Sequence, residues 1–263
     1  MAKNVSTPDI SLVKNAPIAE LVLNRPPAKN AISHAMWRAI PGLVGEAASD
    51  PAIRVLVIHG GDTASFSAGA DIAELAKIAD TPEAADHFHE QMRIALETLA
   101  RFPGPVIARI DGPCIGAGMA LALACDLRFA ANTARFGVTP AKLGLTYPLA
   151  DTRALVALIG PARAKDLIFS SRLIDADEAL RLGLVERVLP EHELIDYTQS
   201  YVQQLCERSA HTQRAMKTMI NAMGDHDPVL SLQSQDVFIE SFSITDFKEG
   251  VLAFSQKRKP DFS

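Results

Sequence analysis

The chain has 263 residues, 48% of them hydrophobic, with a formal net charge of −5 and a pI near 5.8. That length suits one α/β domain with a small appendage, and the apolar content can fill a sizeable core. An acidic balance argues against a nucleic-acid or membrane-surface partner, no apolar stretch approaches the roughly 18 residues of a membrane span, and the polar start Met1 to Asp9 is unlike a signal peptide, so a cytoplasmic location is expected.

Taken in chain order, the first apolar run is Ile18 to Leu23. Ser33 can then cap a helix carrying Met36, Trp37, Ile40, Leu43 and Val44, although Pro41 and Gly42 weaken it. Val55 to His59, Val106 to Ile110 and Leu127 to Ala130 read as buried strands of a partly parallel sheet. Between the first two of these, Thr81-Pro82 opens a helix with Phe88, Met92, Ala95, Leu96 and Leu99 on one face. Beyond Asp151 strands nearly vanish, and Arg153 to Leu158, Ala162 to Phe169, Ala176 to Leu182 and Glu193 to Met223 read as helices. The first 150 residues or so should therefore carry the chemistry.

Two glycine-bearing loops follow two of the strands: Gly60 to Ile72, and Asp111 to Gly118. Each ends where a helix begins, and there the backbone N–H groups lack intrahelical partners while the helix dipole favours negative charge. Two such loops on neighbouring strands could each aim one N–H at a single oxygen, the geometry of an oxyanion hole. Glycines that serve only turns are the plainer explanation of the same loops.

Other motifs fail on spacing. Gly112, Gly116 and Gly118 do not form a dinucleotide fingerprint, no Gly-Lys-Ser/Thr follows, and Ser67 lacks the first glycine of a nucleophile elbow. His87 and His89 diverge by about 200° on a helix and do not chelate, so with Glu90 they read as a solvated face and no metal site is expected. Cys114, Cys125 and Cys206 are odd in number, lack metal-ligand spacing, and read as small hydrophobes of a reducing compartment.

Six segments in order, Leu23-Asn24-Arg25-Pro26 with Lys29-Asn30-Ala31, Phe66 to Ile72, Pro105 to Ala108 with Asp111-Gly112, Gly116-Ala117-Gly118 with Cys125-Asp126, Lys142 to Leu145, and Ala179 to Val185, resemble the serial motifs of the crotonase (enoyl-CoA hydratase/isomerase) superfamily. The resemblance covers nearly the whole chain. It implies an α/β fold of repeated ββα units stacked as a spiral, here residues 1–195 with an acyl-CoA site, and a helical C-terminal region, residues 196–263, that drives assembly into a homotrimer or a dimer of trimers. It also implies an acyl-CoA substrate, with coenzyme A present as part of the thioester and no tightly bound cofactor.

Carried over by position, the oxyanion-hole donors are the main-chain N–H groups of Ala70 and Ala117. Ala68, Asp71 and Ile72 would line the adenine and pantetheine of CoA, and Ala28, Lys29 and Asn30 would approach its nucleotide end. Phe254 and Lys257, with Arg258 and Lys259, resemble the segment that reaches a CoA bound to a neighbouring subunit; a solvated basic tail is the alternative.

The chain departs from the family where hydratases carry two glutamates, which are Ala120 and Pro140 here. A methyl group and a pyrrolidine ring cannot hold or deprotonate water, which puts ordinary hydration in doubt. Thr139-Pro140, Leu143-Gly144 and then Tyr147 resemble the decarboxylase branch, whose tyrosine lies near the acyl carboxylate, although that branch has a histidine where this chain has Ala70. Asp151 and Thr139 are further polar candidates, each also explicable as a cap or turn residue. The expectation is a lyase or isomerase of CoA thioesters working through an enolate. The alternative is an acyl-CoA-binding protein of the same fold without activity.

Overall fold

The computed structural model describes residues 9–78, 82–223 and 245–262. Its strands are β1 (Ile10–Asn15), β2 (Ile18–Leu23), β3 (Val55–His59), β4 (Val106–Ile110), β5 (Pro113–Ile115), β6 (Leu127–Ala131), β7 (Arg135–Gly137), β8 (Ile174–Asp175) and β9 (Arg187–Leu189). A large sheet runs β1-β2-β3-β4-β6-β9, and a small one runs β5-β7-β8. β1 is antiparallel to β2, and each later neighbour in the large sheet is parallel.

The all-apolar strands have a simple cause: both faces of the sheet are covered, as parallel sheets require. In β3, Leu56 and Ile58 face the main core with Trp37, Ile40 and Leu99, whereas Val55 and Val57 face a second cluster with Leu194 and Val202. The main-core side is packed by α1 (His34–Ser49) and α3 (Pro82–Ala100); the other side is packed by α8 (Glu191–Cys206), which runs across residue 195 without a break.

Ser33 caps α1 by accepting from the Met36 N–H at 3.2 Å, as its position before the apolar stripe predicts. The helix continues through Pro41, whose missing N–H is outweighed by the buried face Met36, Trp37, Ile40, Leu43, Val44 and Ala47. Thr81, expected to open the next helix, lies outside the described residues; α3 itself begins at Pro82. The single helix expected from Glu193 to Met223 is two, α8 and α9 (Ala210–Met223), because Ser209 takes the Thr212 N–H at 3.1 Å and starts a new helix.

The chain winds as a spiral. Each turn adds one parallel strand to the large sheet and one short extended piece to the small layer. The bridges Ile32 to Ala70 and Ser67 to Cys114 extend that layer through the first three turns, and β5, β7 and β8 complete it. The small layer is not legible in the hydrophobic pattern, since pieces of two or three residues carry no readable alternation; only the ββα units implied by the family resemblance anticipate it. It is nevertheless what brings the two glycine loops together.

Candidate active site

The first loop is built on Asn30. Its side chain is fully buried, accepts the Arg25 N–H through Oδ1 at 2.7 Å, and donates through Nδ2 to Thr63 Oγ1 and the Ser65 carbonyl at 2.8 Å each and to the Gly60 carbonyl at 3.2 Å. Lys29 and Asn30 both have positive φ, 49° and 56°, and the Lys29 carbonyl accepts the Ala68 N–H at 2.9 Å. Asn30 thus serves the scaffold with its whole side chain; Ala28 is half-buried beside it, and Lys29 and Ala68 are exposed.

Asp71 closes the same loop. One carboxylate oxygen pairs with Arg25 Nη2 at 2.7 Å, and the other accepts the N–H groups of Ala73 and Glu74 at the start of α2 (Ile72–Ile78). The hydrogen bond from Arg25 is the main reason its carboxyl titrates below the usual range. Ile72 follows at 57% exposure, an apolar side chain open to a ligand.

The second loop lies in register with the first. Ser67 pairs with Cys114: the Ser67 N–H donates to the Pro113 carbonyl at 2.8 Å, and the Ile115 N–H donates to the Ser67 carbonyl at 3.0 Å. Three residues beyond this pair stand Ala70 in one segment and Ala117 in the other. A Cβ on Gly118 would lie 2.6 Å from Ser67 Cβ, so glycine is what permits this approach. Neither the Ala70 nor the Ala117 N–H donates to any group among the described residues.

Gly116 turns the chain into α4 (Ala117–Leu123) at φ 50° and ψ −109°, a conformation open to glycine. Its N–H donates to the Gly137 carbonyl at 2.9 Å, and its carbonyl accepts the Ala120 N–H at 3.0 Å and the Tyr147 hydroxyl at 3.2 Å. The Gly116 carbonyl and the Ala117 N–H belong to one peptide group. The phenol therefore holds the plane of the group that presents the donor. Burial pushes the Tyr147 hydroxyl well above its usual range, so it stays protonated and donating. At the other end of α4, buried Arg128 donates to the carbonyls of Ala122 and Cys125 and pairs with Glu186 at 2.6 Å. Short as it is, the helix is held at both termini.

Ala120 is buried in α4 at 2% exposure, and Pro140 starts a 3₁₀ turn, Pro140–Leu143, behind Thr139, whose side chain makes no cap bond. Asp151 lies in the first turn of α5 (Leu149–Ile159) and is buried. On α3, His87 makes an edge contact with His34, Glu90 pairs with Arg93 at 2.7 Å, and His89 is exposed. No group of three His, Cys, Asp or Glu that could hold a metal ion occurs among the described residues. Cys114 and Cys125 are buried, and burial pushes both thiols up, which leaves them inert as nucleophiles.

At the C-terminus, α10 (Thr245–Ser255) precedes Lys257, which is exposed with φ 52°. The side chain of Phe254 lies outside the described residues. Arg258 is paired with Glu249 at 2.6 Å and Lys259 lies 3.5 Å from Glu207, and Lys257, Arg258 and Lys259 are all exposed. Sequence reasoning passed over Arg25 and Arg128 as framework residues; the long sequence separation of Arg128 from Glu186 gives no local signal. A cleft of about 550 Å³ between the large sheet and α8, lined by Glu20, Arg109, Thr198 and Gln203 among others, contains none of the site residues.

Parallel strands stacked turn upon turn, with two glycine-bearing loops paired through Ser67 and Cys114, define the class of α/β spiral to which this chain belongs. Residues 13–263 match the family Enoyl-CoA hydratase/isomerase, and the chain belongs to it. It is 34% identical over 256 residues to a crotonyl-CoA hydratase of Syntrophomonas wolfei, covering 97% of both chains, and 33% identical over 254 residues to the mitochondrial methylglutaconyl-CoA hydratase of Rattus norvegicus, covering 95% of this chain and 80% of that one. Among solved structures, an enoyl-CoA hydratase/isomerase family protein from Hyphomonas neptunium superposes with TM-score 0.94 at 41% identity over 99% of both chains. An enoyl-CoA hydratase/carnithine racemase from Magnetospirillum magneticum gives TM-score 0.94 at 33% identity, over 98% of this chain and 96% of that one. The expected crotonase-like spiral is the fold observed.

Proposed function

We propose that this protein is an acyl-CoA enzyme in which the main-chain N–H groups of Ala70 and Ala117 hold the thioester oxygen as an enolate forms, and that it does not work by two-glutamate hydration. The observation that supports this reading is the pairing of Ser67 with Cys114, three residues ahead of the two N–H groups in each segment, together with the hydrogen bond from Tyr147 to the Gly116–Ala117 peptide. Each such donor contributes about 3 kcal/mol to a developing oxyanion. Named hydratases among the relatives support a CoA thioester as substrate. Ala120 and Pro140 direct the chemistry away from hydration towards isomerisation, decarboxylation or another enolate step.

In this reading Ala68 and Ile72 flank the pantetheine, Ala28 and Lys29 border the nucleotide end, and Lys257 with Phe254 reaches a CoA in a neighbouring copy. Asp71 and Asn30 contribute by shaping the loop rather than by side-chain contact, since their polar atoms are already engaged. Coenzyme A enters with the substrate, the protein works as a homotrimer or dimer of trimers in the cytoplasm, and no helix among the described residues is long and apolar enough to cross a membrane.

The test is exchange of the α-protons of butyryl-CoA in deuterated buffer, followed by NMR. Butyryl-CoA can be neither hydrated nor isomerised, so exchange reports the enolate alone. Exchange above the buffer rate is expected, and Ala117→Pro, which deletes one donor, should abolish it in a protein with unaltered circular dichroism. Tight CoA binding with no exchange would instead establish the binding-only reading.

A further inference from the structure

We propose that Asp151 is the catalytic base and acid of this site, moving a proton between its carboxylate and the carbon next to the thioester carbonyl. The proposal rests on the enolate reading above, because the proton it moves is the one whose loss makes the enolate.

Asp151 is 7% exposed, and its Oδ2 has no hydrogen-bond partner among the described residues. Among the described residues it is the one oxygen of the buried side-chain atoms in that condition; the others are nitrogens of His34, Trp37, Arg54 and His59. The comparison with other carboxylates is direct. Asp71 is paired with Arg25 at 2.7 Å, Asp126 with Lys217 at 2.8 Å, and Glu186 with Arg128 at 2.6 Å. A buried carboxylate without a donor is costly to a fold, and such groups concentrate where chemistry uses them.

Its placement fits. α5 packs against α4, whose first N–H is the Ala117 donor, and Asp151 follows Tyr147 by four residues, close enough that its charge adds to the rise in the phenol's pKa. Asp151 occupies neither of the positions left as Ala120 and Pro140, so it supplies a carboxylate from a third point. Burial raises its pKa to about 6, and His89 on α3 opposes that rise. α4 carries no ionisable side chain, and Arg163, Lys165 and Asp166 of α6 (Pro161–Ser170) do not contribute to the shift. A carboxyl group titrating there is ionised enough at neutral pH to act as a base, and acidic enough once protonated to return the proton.

The step balances without a co-reactant. The α C–H bond breaks and an O–H bond forms on Asp151; the electron pair enters the bond between the α-carbon and the carbonyl carbon, and the carbonyl electrons move onto the thioester oxygen facing Ala70 and Ala117. Return of a proton to carbon, or of a deuteron in heavy water, reverses the flow.

The experiment is the butyryl-CoA exchange assay with Asp151→Asn and Asp151→Glu beside the unaltered protein, together with calorimetric titration of CoA. The expected result is a loss of about 10²-fold or more in Asp151→Asn with CoA affinity retained, and partial recovery in Asp151→Glu, whose carboxylate is one methylene further out. Exchange at the unaltered rate in Asp151→Asn, with Ala117→Pro inactive, overturns the assignment to Asp151 and leaves the enolate reading standing. Absence of exchange in the unaltered protein overturns both. Thermal unfolding of Asp151→Asn at or above the temperature of the unaltered protein excludes misfolding as the cause of a loss.

Discussion

The hydroxyl of Tyr147 donates at 3.2 Å to the carbonyl of Gly116, the carbonyl of the peptide group whose N–H is that of Ala117. The residue that resembles a decarboxylase tyrosine is thus engaged with the main chain of the peptide proposed to supply an oxyanion donor. Tyr147→Phe removes one neutral hydrogen bond of about 1 kcal/mol and keeps the ring in the core. Turnover should fall about tenfold with KM nearly unchanged, because a misaligned donor costs most when the oxygen carries charge. Steady-state kinetics decide it: a loss of about 10²-fold or more would make the hydroxyl a direct proton donor, and an unchanged kcat would remove it from the mechanism.

Gly118→Ala should damage the site through packing alone. The added Cβ would stand 2.6 Å from Ser67 Cβ and 2.9 Å from the Ser67 carbonyl oxygen, and both atoms belong to the loop that carries Ala70. Separating the loops costs about 1–3 kcal/mol of stability and draws the two N–H groups apart. A lowered melting temperature together with reduced α-proton exchange is expected. Full exchange in a destabilised Gly118→Ala protein would show that the spacing of the loops does not govern the reaction.

Hydration of crotonyl-CoA should be slower by several orders of magnitude than in an enzyme with both glutamates, since each such group contributes about 10²–10⁴-fold. Ala120 is buried at 2% exposure, so Ala120→Glu inserts a carboxylate into a packed helix face and should restore little by itself. The decrease in enoyl absorbance measures both proteins. Rapid hydration by the unaltered chain would refute the argument from Ala120 and Pro140.

Asp151 should cost the protein stability at neutral pH. Its folded pKa of about 6 lies above the ordinary 3.8, so the folded state holds the proton more tightly, and stability falls as pH rises from about 4 to 6 and then levels. The cost at pH 7 is at most about 3 kcal/mol. Asp151→Asn removes it, so the variant should melt higher than the unaltered protein at pH 7 and level with it at pH 4. Thermal unfolding at the two pH values tests the sign, and a variant less stable at pH 7 would contradict an unpaired buried carboxylate.

Assembly should cover the helical C-terminal surface. Met216, Ile220 and Met223 on α9 are 47%, 56% and 67% exposed, and Val251 on α10 is 55% exposed, apolar side chains that contact between copies would cover. Sedimentation should show a trimer or a hexamer. A 28.3 kDa species at micromolar concentration would refute it.

Much of this protein is legible in its residues by themselves. The buried strands Val55 to His59 and Val106 to Ile110, the Ser33 cap and the helix from Ala176 to Leu182 follow from local hydrophobic pattern and capping chemistry, which act over a few residues. The two glycine loops, each ending at a helix start, are likewise plain from the chain, whereas reading Ala120 and Pro140 as replacements of carboxylates rests on the family resemblance. Tertiary structure decided the rest. Whether Ala70 and Ala117 stand side by side depends on the pairing of Ser67 with Cys114 across 47 positions of sequence, and no local propensity sets a parallel register. The partner of the Tyr147 hydroxyl and the isolation of Asp151 Oδ2 are likewise set by which groups the spiral brings near, and which it keeps away, once water has been excluded.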